Sequence, residues 1–130
     1  MSIAVRTASG VGYKLLCVVI GLADVYVCST PSTYQYDTLA GHALLRSLSG
    51  RPAGLLDRRL VKENRDRLLV SWDDGAAFKK ILQACELKYT PKKSDSTSPE
   101  EYCNGNGVIA YGSEVKFRDF LALLRDDEWF

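Results

Sequence analysis

The chain holds a single histidine, a single methionine and four prolines in 130 residues. One histidine excludes a His-rich metal site. The four cysteines, Cys17, Cys28, Cys85 and Cys103, contain no C-x-x-C pair, so paired zinc-ligand spacing is absent. Four thiols in a chain this long are too sparse for a disulfide scaffold, and we read them as reduced thiols. No apolar run approaches the roughly 20 residues of a membrane-spanning helix. The short run at residues 15–23 is interrupted by Asp24 and reads as structure rather than a signal-peptide core, which favours a cytoplasmic over a secreted protein. G-x-S-x-G, the Walker loop and H-E-x-x-H are all missing. The Cys-x5-Arg phosphatase loop also fails, because Tyr34 stands where Arg would follow Cys28. Nothing in the residues calls for a cofactor or a metal.

What remains is an ordinary composition: 46% hydrophobic, 25% charged, net charge +1. It excludes global disorder and a strongly basic nucleic-acid coat. The length suits one domain over residues 1–130. The near-neutral balance is a cancellation. Residues 46–67 carry seven Lys/Arg against three acids, net +4, whereas residues 113–130 carry net −2.

Residues 1–12 read as an irregular start. β-branched and aliphatic residues at 13–20 and 25–29 predict two strands joined by a turn at 21–24. Asp37 or Thr38 predicts a helix start, with Leu39, His42, Ala43, Leu45 and Leu48 on its apolar face. Residues 60–61 and 68–72 read as a second hairpin around a polar tip, although residues 52–65 also fit a helix. Asp73 and Asp74 precede a third apolar pattern, Ala77, Phe78, Ile81, Leu82 and Cys85, as helix caps do. Residues 90–100 read as a mobile loop. Asn104-Gly105-Asn106-Gly107 predicts a third hairpin, and Ser113 a final helix with Phe117, Phe120, Leu121 and Leu124 inward. The expected fold is a single small α+β domain, a mainly antiparallel sheet built from hairpins with about three helices packed on one face.

The candidate contact residues are Arg51, Arg58, Arg59, Lys62, Arg65 and Arg67, together with Trp129 and Phe130 beside the acidic end. Arg grips carboxylate or phosphate through a planar fork, and Trp is enriched at interaction hot spots. Three weaker constellations are Tyr34, Tyr36 and His42 at a helix start, a Cys28 or Cys17 nucleophile with His42, and Asp73, Asp74, Lys79 and Glu101 as a nuclease-like cluster. Core, cap and surface roles explain each of them more simply. On this basis the sequence points to a small non-enzymatic binding protein. It would be an inhibitor or accessory subunit, of phage or bacterial type, occupying a protein or nucleoprotein surface. A nucleic-acid-binding module using residues 46–67 comes second, and a small hydrolase or nuclease third.

Overall fold

A computed structural model describes residues 10–30, 32–48, 53–89 and 103–124. Residues 1–9 of the irregular start expected over 1–12, the loop at 90–100, and Arg51, Glu101, Trp129 and Phe130 lie outside the described residues. The described elements are α1 (Val11–Val19), β1 (Val25–Cys28), α2 (Gln35–Ser47), β2 (Gly54–Asp57), α3 (Arg58–Glu63), α4 (Arg65–Val70), a 3-10 turn (Ser71–Asp73), α5 (Gly75–Cys85), β3 (Val108–Tyr111) and α6 (Glu114–Leu123).

The α+β class with an antiparallel sheet is borne out. The sheet has the order β1-β3-β2, and both pairings are antiparallel. Its helices cover both faces, not one. Leu55, Val108 and Ala110 point to the side where Leu15 and Val18 of α1 and Leu45 of α2 pack. Leu56, Ile109 and Tyr111 point to the opposite side, against Val61, Leu68, Phe78, Leu82, Phe117 and Leu121 from α3 to α6. Strand residues alternate between faces, so a central strand covered on both sides is apolar throughout, as β3 is. The free edge of β2 is closed by the segment after α5, where the Leu87 N–H donates to the Leu55 carbonyl at 3.0 Å.

The three expected hairpins are not found among the described residues: the first becomes α1 and β1, the second is helical throughout, and the third leaves β3 as a single strand. Residues 13–20 are not a strand: α1 takes them, with Leu15 and Val18 buried. Val11 and Gly12, assigned to the irregular start, open that helix. A short run apolar on every side does not separate a strand from a covered helix. Residues 58–70 form α3 and α4, joined at Asn64, whose side-chain amide donates to the Leu60 carbonyl at 2.8 Å. The 104–107 turn exists, and the Gly107 N–H reaches the Asn104 carbonyl at 3.1 Å. Its arms do not pair with each other: Cys103 bridges to Tyr34, and β3 runs between β1 and β2.

The expected helix starts fare better. Asp74 caps α5 by accepting from the Ala76 and Ala77 N–H groups at 3.1 Å, and Ser113 occupies the cap position of α6. α2 begins earlier than expected. Tyr34 takes its cap position, and Asp37 reaches back from the first turn to accept the Tyr34 N–H at 2.9 Å. The helix is also rotated from the expected phase: Gln35, Thr38, His42 and Leu45 face inward, and Leu39 is 51% exposed.

Candidate functional site

The Arg-rich segment does not form one continuous face. Arg65 inserts its guanidinium against the carbonyls of Leu121 and Leu124, capping the end of α6. Arg67 donates to Asn64 Oδ1 at 3.0 Å, and Arg46 pairs with Glu86 at 2.8 Å. Among the described residues of the segment, only Arg58, Arg59 and Lys62 converge. They line an open groove with Glu63, Gly105 and Asn106. Within it Arg58 Nε donates to the Asn106 carbonyl at 2.7 Å, and Arg59 pairs with Glu63 at 3.1 Å. The exposed Arg59–Glu63 pair contributes little stability.

His42 is buried in α2 and spends both ring nitrogens. Nδ1 lies 2.9 Å from the Tyr89 hydroxyl and Nε2 3.0 Å from Glu86 Oε1. A Cys–His nucleophile pair therefore has no free ring nitrogen to use. Burial lowers the His42 pKa, Glu86 opposes that shift, and Arg46 adds to it. A folded-state pKa below the unfolded one favours the fold above about pH 6.5 and penalises it as the pH falls. The melting temperature should therefore drop between pH 7.5 and 5.5, and His42→Gln should flatten that slope. An unchanged slope in the variant would assign the acid sensitivity elsewhere.

Asp73, Asp74 and Lys79 are exposed, and Asp74 serves as a cap. Among the described residues no group of three or more His, Cys, Asp or Glu side chains could hold a metal ion. Cys85 is buried in the core, and its thiol pKa is pushed up to about 11. It is an inert apolar side chain rather than a nucleophile.

A different cluster forms at the end of β1, on the face covered by α1 and α2. Lys14 of α1 places its ammonium 5.5 Å from the centre of the Tyr26 ring. Two residues on, Cys28 Sγ lies 3.4 Å from Ser32 Oγ, and Thr30 Oγ1 donates to Ser32 Oγ at 2.9 Å. Burial opposes ionisation of Cys28, but hydrogen bonds from Ser32, Thr30 and Tyr26 outweigh it and lower the thiol pKa. Burial raises the Tyr26 pKa, so its hydroxyl stays a neutral donor.

The loop bearing these hydroxyls is anchored from below. Asn104 Nδ2 donates to Thr33 Oγ1 at 2.9 Å and to Thr38 Oγ1 at 3.3 Å, and the Asn104 N–H to the Thr33 carbonyl at 2.8 Å. Lys14, Tyr26, Cys28, Thr30 and Ser32 thus bring one ammonium, three hydroxyls and a thiol to the end of β1. An ammonium and neutral hydrogen-bond donors are the groups from which an oxyanion accepts; they do not by themselves supply an acid–base pair.

Sequence reasoning missed this cluster. The run Ser29-Thr30-Pro31-Ser32-Thr33 signals a loop, but Lys14 joins it only because residues 11–19 are helical. Cys28, Tyr34 and Tyr36 were noted for other chemistry. Tyr34 and Tyr36 in fact stack with ring centres 5.6 Å apart.

No protein-family model matches the chain. Its sequence is similar to inositol polyphosphate 1-phosphatase from Bos taurus, 36% identical over 117 residues, which is 90% of this chain and 26% of the relative. The Mus musculus protein of that name is 37% identical over 121 residues, 93% of this chain and 27% of the relative. The Homo sapiens protein is 35% identical over 117 residues, 90% of this chain and 26% of the relative. The chain spans about a quarter of the length of these curated relatives.

These matches overturn the expectation of a non-enzymatic inhibitor or accessory subunit of phage or bacterial type, because the relatives are named as a mammalian enzyme. The expectation had rested on missing catalytic motifs, and that absence does not discriminate in a chain this much shorter than its relatives. Among the described residues no helix is long and apolar enough to cross a membrane.

Proposed function

We propose that this chain serves in the hydrolysis of phosphate monoesters on inositol polyphosphates, where it contributes phosphate recognition at the end of β1. The observation that carries this reading is the 35–37% identity, over at least 90% of the chain, to inositol polyphosphate 1-phosphatase. The hydrolase reading, ranked third on sequence alone, is the one the relatives favour.

The local chemistry supports it. A phosphate monoester presents a dianion with several acceptor oxygens, and it needs cationic and neutral hydrogen-bond donors. Lys14 supplies the charge, and Tyr26, Thr30 and Ser32 the hydroxyls. In this reading the residues position the phosphate and stabilise its charge; the attacking water is activated by groups outside this cluster.

Calorimetric titration with an inositol bisphosphate bearing a 1-phosphate tests the reading. Saturable binding is expected, with none for unphosphorylated inositol. Lys14→Gln should weaken it about tenfold, or ~1.4 kcal/mol, the scale of one lost charge-assisted hydrogen bond. Absence of binding at millimolar ligand, or equal affinity in the variant, would overturn it.

A further inference from the structure

The 104–107 turn joins two clusters that the sequence keeps apart. Cys28 and Asp57 both pair with Val108, so the ends of β1 and β2 lie at the same end of the sheet, on either side of β3. Two strand spacings put them about 10 Å apart. Asn104 of the turn anchors Thr33, the neighbour of Ser32. Asn106 of the same turn accepts from Arg58 Nε through its carbonyl. Arg58 leans over Gly107: a Cβ built there would meet both its Nε, at 2.9 Å, and the Cys28 carbonyl oxygen. The groove of Arg58, Arg59 and Lys62 therefore borders the end of β1.

Three cations line this groove with the carboxylate of Glu63. Asp57, at the head of α3, is engaged by the Leu60 N–H and the Asn106 amide. The Arg59–Glu63 pair is exposed, so an arriving anion displaces Glu63 at little cost. Arginine forks match phosphate oxygens, and lysine adds a compact charge. We propose that this groove holds a second phosphate of the inositol polyphosphate whose first phosphate lies at the end of β1. The inference rests on the phosphate recognition proposed above, and it adds the residues that select a bisphosphate over a monophosphate. Phosphates on opposite carbons of one ring address the two strand ends together. The groove is the second hold, so it responds along with the end of β1 and not in its place.

Calorimetry of the chain with inositol 1-phosphate and with inositol 1,4-bisphosphate tests this. The bisphosphate should bind about tenfold tighter, the scale of one added charge-assisted contact. Arg59→Gln combined with Lys62→Gln should erase that margin and leave the monophosphate affinity unchanged. Arg59→Gln alone should remove part of the margin and serves if the double variant fails to fold. Arg67→Gln, in a cation of the same segment bonded to Asn64, should change neither affinity. If inositol 1-phosphate binds and the bisphosphate binds no tighter, the groove is overturned while the reading at the end of β1 stands. The groove is equally overturned if the double variant keeps the margin or lowers both affinities alike. Failure of both ligands to bind overturns the reading at the end of β1, and the groove with it.

Discussion

Gly107→Ala should destabilise the protein by about 2–5 kcal/mol, whereas Gly105→Ala, two residues earlier in the same turn, should cost almost nothing. Gly107 has φ +80°, in the left-handed region where an L side chain is strained by roughly 1–2 kcal/mol. A Cβ there would also strike the Cys28 carbonyl oxygen, a backbone atom of β1, and approach Arg58 Nε at 2.9 Å. Backbone cannot step aside as the tip of a side chain can. Relieving the clash means moving β1 from β3, and overpacking of that kind costs ~1–3 kcal/mol. The Gly107 carbonyl also accepts the Arg58 N–H at 3.2 Å, so the shift spreads to the start of α3. Gly105 has open space around its Cβ position. Urea denaturation of both variants separates the outcomes; equal midpoints would show that the 104–107 turn does not clamp the sheet. Since Cys28 moves with β1, Gly107→Ala should also disturb the Cys28–Ser32 contact.

Phe117→Ala should cost ~3–5 kcal/mol, the usual range for removing a fully buried aromatic ring. Phe117 is fully buried in α6 and stacks on Tyr111 of the central strand, with ring centres 4.9 Å apart. It reaches the cluster that also holds Phe78, Leu82 and Leu121. A cavity there is enclosed by α4, α5 and the sheet, so it cannot collapse without shifting one of them. A loss of this size is a large share of the 5–15 kcal/mol typical of a whole domain. Val115, two positions earlier and 63% exposed, is the control: Val115→Ala should fall within about 0.5 kcal/mol of wild type. If Phe117→Ala proved equally mild, α6 would not be packed as described.

The contrast between Phe117 and Tyr13 shows which parts of the fold were legible in the sequence. Amphipathic segments announced themselves: the stripes of α5 and α6 and the Asp74 and Ser113 cap positions lie as the spacing predicts. Segments without a polar face did not. Residues 13–20 carry one charge, Lys14, and no polar face, so periodicity is silent there. Residues 60–70 misled for another reason. Two six-residue helices are too short to show a helical period, and the charged stretch between them resembles a hairpin tip. The Asn-Gly pair at 104–105 does make a turn, but tertiary pairing of Cys103 with Tyr34 takes its first arm. The site was hidden by the same misassignment. Lys14 meets Tyr26 only across a helix–strand contact, and Arg65, read as a surface cation, is committed to the carbonyls at the end of α6.

A residue-resolved titration tests the proposed phosphate recognition most directly. Amide chemical shifts of the 130-residue chain would be followed while an inositol bisphosphate carrying a 1-phosphate is added. Saturable shifts centred on Lys14, Tyr26, Cys28, Thr30 and Ser32 are expected, absent with unphosphorylated inositol. Shifts centred instead on Arg58, Arg59, Lys62 and Asn106, or no saturable shift anywhere, would contradict it.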